Sequence, residues 1–265
     1  LVSSSAASDV YKRQTKQEFI VELNSNWEFK SENDKDYLPA SVPGTVHLDL
    51  LQNGKIDDPF FRLNEHKLQW IDKLDWEYRT SFDVNDYHFN YEAIELDFFG
   101  LDTYADVFLN DSLIYSSENM FIGKTVNVKK KIKKGKNNLL VKFKSPIDVG
   151  IEKYDKLGYR LPDNANDLSE IGKVPGNKKV GVFERKAPYS FGWDWGPRLV
   201  TSGIWRPIKI NFWNNFQIKD LHFTQKIEDD NALIKGEVEV FSLLDNRNVI
   251  AVSYTHLRAH ETATY

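Results

Sequence analysis

Alternation of apolar and polar side chains, broken by short turn-forming clusters, dominates the chain from Thr15 to Ala251. A period of two puts successive side chains on opposite faces, which predicts strands. Trp76–Phe82 (WEYRTSF) is one β-prone run. In Ala93–Phe99 (AIELDFF), Ile94, Leu96 and Phe98 alternate with Glu95 and Asp97, and Gly100 ends the run. Ala105–Leu109 (ADVFL) meets Asn110-Asp111 before Leu113–Tyr115 resumes. Asn and Asp tolerate positive φ, so that spacing predicts a tight hairpin. Thr125–Val128 runs into basic Lys129–Lys134 and the turn Gly135–Asn138, and Leu139–Phe143 (LLVKF) is another short strand. Ile204–Phe212 contains Pro207, which has no N–H to donate, so this strand is expected to start late or lie at an edge. Helical signals are confined to Val46–Gln52, with Thr45 as N-cap and Gly54 past the end, and to Asp148–Leu157. Frequent short strands and few helices predict an all-β fold, a jelly roll or sandwich.

The pattern breaks near Trp213-Asn214-Asn215. Gln217–Thr224 (QIKDLHFT), a turn at Asp229-Asp230-Asn231 and Ala232–Ser242 (ALIKGEVEVFS) then begin a second β unit. Two or three strands do not close a core, so this piece is expected to be marginal alone. The ends read differently again. Ser4–Gln14 (SSAASDVYKRQ) and Val252–Thr262 (VSYTHLRAHET) back-translate in frame into opposite arms of a transposon-type sequencing adapter. Residues 1–14 and 252–265 are therefore expected to be translated adapter and are set aside from the fold, as a fusion scar would be. His256 and His260, spaced like a helical metal pair, go with them. The expected domains are 15–214 and 215–251, with both natural termini expected to lie outside the chain.

Composition narrows the function. A net charge of −4 argues against a nucleic-acid or polybasic membrane partner. With no Cys there is no disulfide, thiol nucleophile or thiolate metal site. No apolar run is long enough to span a membrane as a helix. His47, His66, His88 and His222 have no metal-ligand spacing, and no phosphate-cradling Gly-rich loop appears, so neither metal nor cofactor is expected. His47 reads as a local hydrogen-bonding residue, Asp57-Asp58 as a turn, and Lys129–Lys136 as a solvated turn. The distinctive excess is aromatic, 14% with 7 Trp, which suits β structure or a sugar-binding surface.

That excess peaks in Phe183–Pro207 (FERKAPYSFGWDWGPRLVTSGIWRP). In one reading its Trp residues fill the core and Asp194 pairs with Arg185 or Arg198. In the other the segment is a sugar subsite. An indole stacks on the apolar face of a pyranose, a carboxylate such as Asp194 accepts two adjacent hydroxyls, and an Arg holds that carboxylate ionised. A regular strand would point Trp193 and Trp195 one way and Asp194 the other, whereas Gly192 and Gly196-Pro197 favour a loop or bulge. The residues alone leave both readings open.

Arg185–Pro207 closely resembles a signature of β-mannosidases, in the glycoside hydrolase clan that includes β-galactosidase and β-glucuronidase. Val42–Glu65, Gln69–Phe82, Leu101–Asn110 and Phe143–Ile147 resemble the same family in the same order. The resemblance implies a jelly-roll, galactose-binding-like domain. An immunoglobulin-like sandwich, of which residues 216–251 would be the start, and a catalytic (β/α)8 barrel should follow it. It implies a substrate-binding role for Trp193, Asp194, Trp195 and Arg198, with Asp194 on sugar hydroxyls, Trp193 walling the subsite and the other two in support. It also implies a retaining mechanism in which two barrel glutamates about 5–5.5 Å apart do the chemistry. No catalytic residue is therefore expected here, and the fragment itself is expected to be inactive. The implied partners are a β-mannoside oligosaccharide and the absent barrel, and the implied location is periplasmic or otherwise extracytoplasmic in a bacterium. A clan relative of other specificity is the alternative, disfavoured by the intact Gly192–Arg198 string (GWDWGPR). A stand-alone carbohydrate-binding module is disfavoured by the second β unit.

Overall fold

The strands form where side chains alternate, and the apolar positions of two sheets meet in one core. The computed structural model of the chain describes residues 18–163, 178–228 and 231–243. The two end strings read as adapter and the Asp229-Asp230 turn lie outside these residues. The chain divides into two compact units, one formed by Phe19–Phe212 and the other containing Glu18 and the residues from Trp213 onward.

The first sheet takes β2 (Trp27–Ser31), β3 (Leu38–Ala40), β4 (Trp76–Val84), β6 (Tyr104–Leu109), β7 (Ser112–Glu118) and β9 (Gly135–Phe143), in the order β3-β2-β4-β9-β6-β7. The second takes β1 (Glu18–Glu22), β5 (Ala93–Phe98), β8 (Lys124–Asn127) and β10 (Ile208–Trp213), in the order β1-β10-β5-β8. Trp27, Phe29, Trp76, Tyr78, Val141 and Phe143 of the first sheet share a buried cluster with Ile94, Leu96, Ile208 and Phe212 of the second. The fold is thus an all-β sandwich. The Asn110-Asp111 hairpin joins β6 to β7 with both residues at positive φ, 49° and 66°, as the predicted turn requires. Strand β10 begins immediately after Pro207, but lies inside its sheet rather than at the edge. Strand β9 takes in Gly135–Asn138, where the residue pattern predicts a turn, because the register continues to Gly135↔Val84.

Helices α1 (Val46–Gln52), α2 (Asp86–Phe89) and α3 (Pro146–Leu157) interrupt the strands. Thr45 precedes α1 in extended conformation, but its side chain makes no cap hydrogen bond. The helix is fixed instead through Asp49, which accepts from the Tyr78 hydroxyl at 2.6 Å and from the Ser41 N–H at 2.8 Å. Burial raises the pKa of this carboxyl, and the two donors oppose the rise. Helix α3 starts at Ser145, whose hydroxyl accepts from the Asp148 N–H, and stops at Gly158 in left-handed conformation. The basic run after β8 is only partly solvated. Lys129 donates to the carbonyls of Phe89 and Tyr91, and Lys131 to that of Leu113.

In the other unit, β11 (Phe216–Glu228) and β12 (Asn231–Ser242) pair antiparallel. A bulge between Ile218 and Asp220 keeps Ile218 in phase with Leu221, Phe223 and Ile227 on one face of the ribbon. Those four side chains are exposed.

Tyr78→Phe deletes a donor to a buried carboxylate, which costs about 1–3 kcal/mol. Urea denaturation at neutral pH should show that loss, and an unchanged midpoint would mean that α1 is not fixed through Asp49.

Candidate functional site

Between Lys186 and Thr201 the chain leaves both sheets. A short 3-10 turn, Pro188–Phe191, ends at Gly192, whose φ of 117° is closed to residues with a side chain. The Gly196 N–H then bonds back to the Trp193 carbonyl, making a turn of Trp193–Gly196. This is the loop that the Gly192 and Gly196-Pro197 flanks predicted.

The loop walls a cavity of about 780 Å³. Trp193, Trp195 and Tyr189 line it from the loop itself, and Phe60, Phe121 and Trp205 from elsewhere in the same unit. Phe60 is placed by the Asp57-Asp58 turn, where Asp58 Oδ1 accepts from the Phe60 N–H. Trp205 enters because position 100 is glycine, since a Cβ there would stand 2.6 Å from the indole nitrogen. The Trp205 indole N–H donates to the Met120 carbonyl at 2.8 Å.

The four sequence-predicted site residues separate into three positions. Trp193 and Trp195 both face the cavity and remain accessible, at 38% and 84% exposure. Asp194 is exposed, is not among the cavity walls and has no hydrogen bond to the described residues. Arg198 is buried behind the loop, and its ionic partner is Asp72, with Nη2 and Oδ2 2.6 Å apart. The guanidinium is not aligned for a hydrogen bond on that side, and Nη1 donates to Gln69 Oε1 instead. Gln69 Nε2 returns a hydrogen bond to the Arg198 carbonyl, and Glu65 accepts from the Arg198 N–H at 2.7 Å. A pairing of Asp194 with Arg198 is therefore not formed.

A second buried ion pair, Asp102 with Lys186, adjoins the cavity, which Asp102 and Thr201 line. The three N–H groups of Lys186 are shared among four acceptors, both carboxylate oxygens of Asp102, the Thr201 carbonyl at 2.7 Å and the Thr201 hydroxyl at 3.1 Å. Thr201 donates to Asp102 Oδ2 at 2.7 Å, and Thr103 donates to Oδ1 at 2.5 Å. Each oxygen accepts from a threonine hydroxyl and shares the Lys186 ammonium, so Asp102 lines the cavity with its acceptors engaged inside the protein. Burial lowers the Lys186 pKa, and Asp102 opposes that shift.

His47 lies in the field of both pairs. Burial pulls its pKa down to about 4. Asp72 and Asp102 push it up, and Lys186 and Arg198 push it down. Its Nδ1 is buried without a hydrogen-bond partner, so the local hydrogen-bonding role expected for it is not realised at that atom. Lys186, Asp102, Thr201, Glu65, Gln69 and Asp72 had no role in the sequence reading. Their signal was indirect, because Asp102, Glu65, Gln69 and Asp72 all fall in the additional segments that carried the family resemblance.

The site is thus an aromatic cavity carried on a loop outside the two sheets of an all-β sandwich. Residues 27–206 match the glycosyl hydrolase 2 galactose-binding domain-like family, and the chain belongs to that family. It is 34% identical over 236 residues to "Beta-mannosidase B" of Thermothelomyces thermophilus, covering 86% of this chain and 25% of that protein. It is 30% identical over 245 residues to "Beta-mannosidase" of Mus musculus, covering 91% and 27%. Among solved structures, the β-D-mannosidase of Dictyoglomus thermophilum is 41% identical with a TM-score of 0.77, over 84% of this chain and 26% of that one. The β-D-glucuronidase of the same organism, at 18% identity and a TM-score of 0.54 over 86% of this chain and 34% of that one, shares the fold. The chain spans about a quarter of the length of the curated relatives it matches.

Glu184, two residues before Lys186, is buried, with Tyr104, Lys153 and Lys186 as its polar neighbours. Burial raises its pKa to about 7, although Tyr104, Lys153 and Lys186 oppose the rise. The folded state then holds a proton between about pH 4.5 and 7 that the unfolded state releases. Stability should fall as pH rises through that window and stay low above it. Glu184→Gln should match the parent near pH 4.5 and exceed it above pH 7, by on the order of 3 kcal/mol for a shift of this size. Urea denaturation at pH 5 and pH 8 measures the difference. Equal stability of the two proteins at pH 8 would rule out a buried, proton-holding Glu184.

Proposed function

We propose that the chain is the N-terminal, non-catalytic part of a β-mannosidase, a retaining glycoside hydrolase that releases terminal β-D-mannose from oligosaccharides. The observation that carries this reading is the convergence of Trp193 and Trp195 on an aromatic-walled cavity, within the segment that resembles the β-mannosidase signature. Relatives and a solved structure that bear that name support it.

In this reading Trp193 walls the terminal-sugar subsite and Trp195 extends the wall. An indole face buries pyranose C–H groups, which water solvates poorly, and it imposes an orientation on the ring. Asp194, exposed and without a hydrogen bond to the described residues, can accept from two sugar hydroxyls, and charge-assisted hydrogen bonds of this kind are worth about 1.5–3 kcal/mol. Arg198 acts indirectly, by fixing the loop backbone through Asp72 and Gln69 rather than by orienting Asp194. Bond cleavage belongs to a carboxyl pair on a barrel downstream, so this chain alone is inactive. Phe60, which lines the cavity, and its chain neighbours Phe61 and Leu63 are exposed at 75%, 58% and 71%, the apolar character of a surface that the barrel covers. The β11–β12 ribbon, with its exposed apolar face, begins the immunoglobulin-like domain, taking residues 215–251. Residues 15–214 form the sugar-binding-like domain.

In the full-length enzyme, Asp194→Ala should lower kcat/KM for an aryl β-mannoside at least tenfold, the loss that a charged hydrogen bond predicts. An unchanged kcat/KM in a normally folded variant would remove Asp194 from the subsite. The isolated chain should bind mannose too weakly to detect below millimolar concentration, since it supplies one wall. Micromolar binding by calorimetry would point to a stand-alone carbohydrate-binding module instead.

A further inference from the structure

We infer that Asp102, Lys186 and Thr201 form a clamp that closes the aromatic loop at its stems and so sets the position of the Trp193–Trp195 wall. Lys186 and Thr201 stand fifteen residues apart, at the two ends of the loop, and Lys186 bonds both the carbonyl and the hydroxyl of Thr201. Both side chains also converge on one carboxylate, that of Asp102, which is 84 residues from Lys186 and 99 from Thr201. The pair is buried, with Lys186 side-chain exposure at 0% and that of Asp102 at 1%.

The chemistry of the three groups explains why they work together. A loop closed at its ends has far fewer conformations than an open one. A buried lysine must satisfy its N–H groups, and here two of its acceptors belong to the opposite stem. The Thr201 hydroxyl accepts from Lys186 and donates to Asp102, so it completes the triangle in a way that an aliphatic side chain cannot. The backbone around Thr201 is held as well. The Gly203 N–H bonds to the Asp102 carbonyl at 3.0 Å, and the Asp102 N–H bonds to the Gly203 carbonyl at 2.9 Å. Asp102 touches the cavity, but with its acceptors engaged inside the protein it acts through the loop rather than on a ligand. It is a positioning residue, as are Lys186 and Thr201. This assignment rests on the sugar-subsite reading for its enzymatic consequence, but not for its structural one.

Thr201→Val keeps the shape and branching of the side chain and removes both of its clamp bonds, whereas Thr201→Ser keeps the hydroxyl. Hydrogen exchange of the whole chain should show amides of Ala187–Val200 at least tenfold faster in Thr201→Val, with β4 and β9 unchanged and with Thr201→Ser close to the parent. Unchanged exchange in the loop, equal acceleration in β4 and β9, or a Thr201→Ser variant as loose as Thr201→Val would each overturn the clamp. In the full-length enzyme, Thr201→Val should raise KM for an aryl β-mannoside at least fivefold with kcat within twofold, because a loosened wall weakens ground-state and transition-state binding alike. An unchanged KM would overturn the positioning role. A parent enzyme that cleaves no β-mannoside would sink the functional reading, while the exchange result would still judge the clamp.

Discussion

A charge removed from water has to be paired, and in this domain that constraint determines where the aromatic loop can sit. Two ion pairs are buried side by side in charge, Asp102 with Lys186 and Asp72 with Arg198. In each, one partner comes from the sandwich side of the chain and the other from the ends of the loop. Removing one member of such a pair strands the other in a low-dielectric interior, at a cost of about 3–5 kcal/mol. The loop therefore cannot drift without breaking an interaction that is expensive to leave unmade. His47, held neutral by burial, sits in the field of all four charges without adding a fifth.

The sandwich beneath the loop is held by a different principle. Its two sheets are joined by large aromatic and aliphatic side chains, with Trp76, Tyr78, Phe29 and Phe143 almost fully enclosed. The polar tips of these rings are satisfied locally. The Trp76 indole N–H donates to the Ile71 carbonyl and that of Trp27 to the Leu23 carbonyl, while Tyr78 donates to Asp49. A rigid apolar platform of this kind allows the connecting segments to carry glycine-only backbone and exposed residues, such as Gly192 and Trp195. The aromatic excess of the sequence thus divides in two. Trp27, Trp70, Trp76 and Trp213 belong to no cavity wall of the loop, and Trp193, Trp195 and Trp205 all do.

Much of this is legible in the sequence. The alternating runs at Trp76–Phe82 and Ala93–Phe99, the Asn110-Asp111 hairpin, the helix at Val46–Gln52 and the late start of β10 after Pro207 all follow from local rules of side-chain period, positive φ and missing N–H groups. What local rules could not foresee is equally specific. Strand β9 extends through Gly135–Asn138 because its partner strand continues, which outweighs the turn preference of those residues. Arg198 finds Asp72 and not Asp194, although Asp194 is four positions away, because the turn at Trp193–Gly196 leaves Asp194 exposed while Arg198 is buried.

By itself the sequence determined the β character of the chain, the elements and most of their limits, the loop at Trp193–Gly196 and the family resemblance, since each depends on residues close together along the chain. Tertiary structure alone decided the cavity and the buried ion pair beside it. Phe60, Asp102, Lys186 and Thr201 are brought together over separations that no periodicity encodes, and the choice among many Asp, Lys and Arg residues is made by which of them burial forces to find a partner.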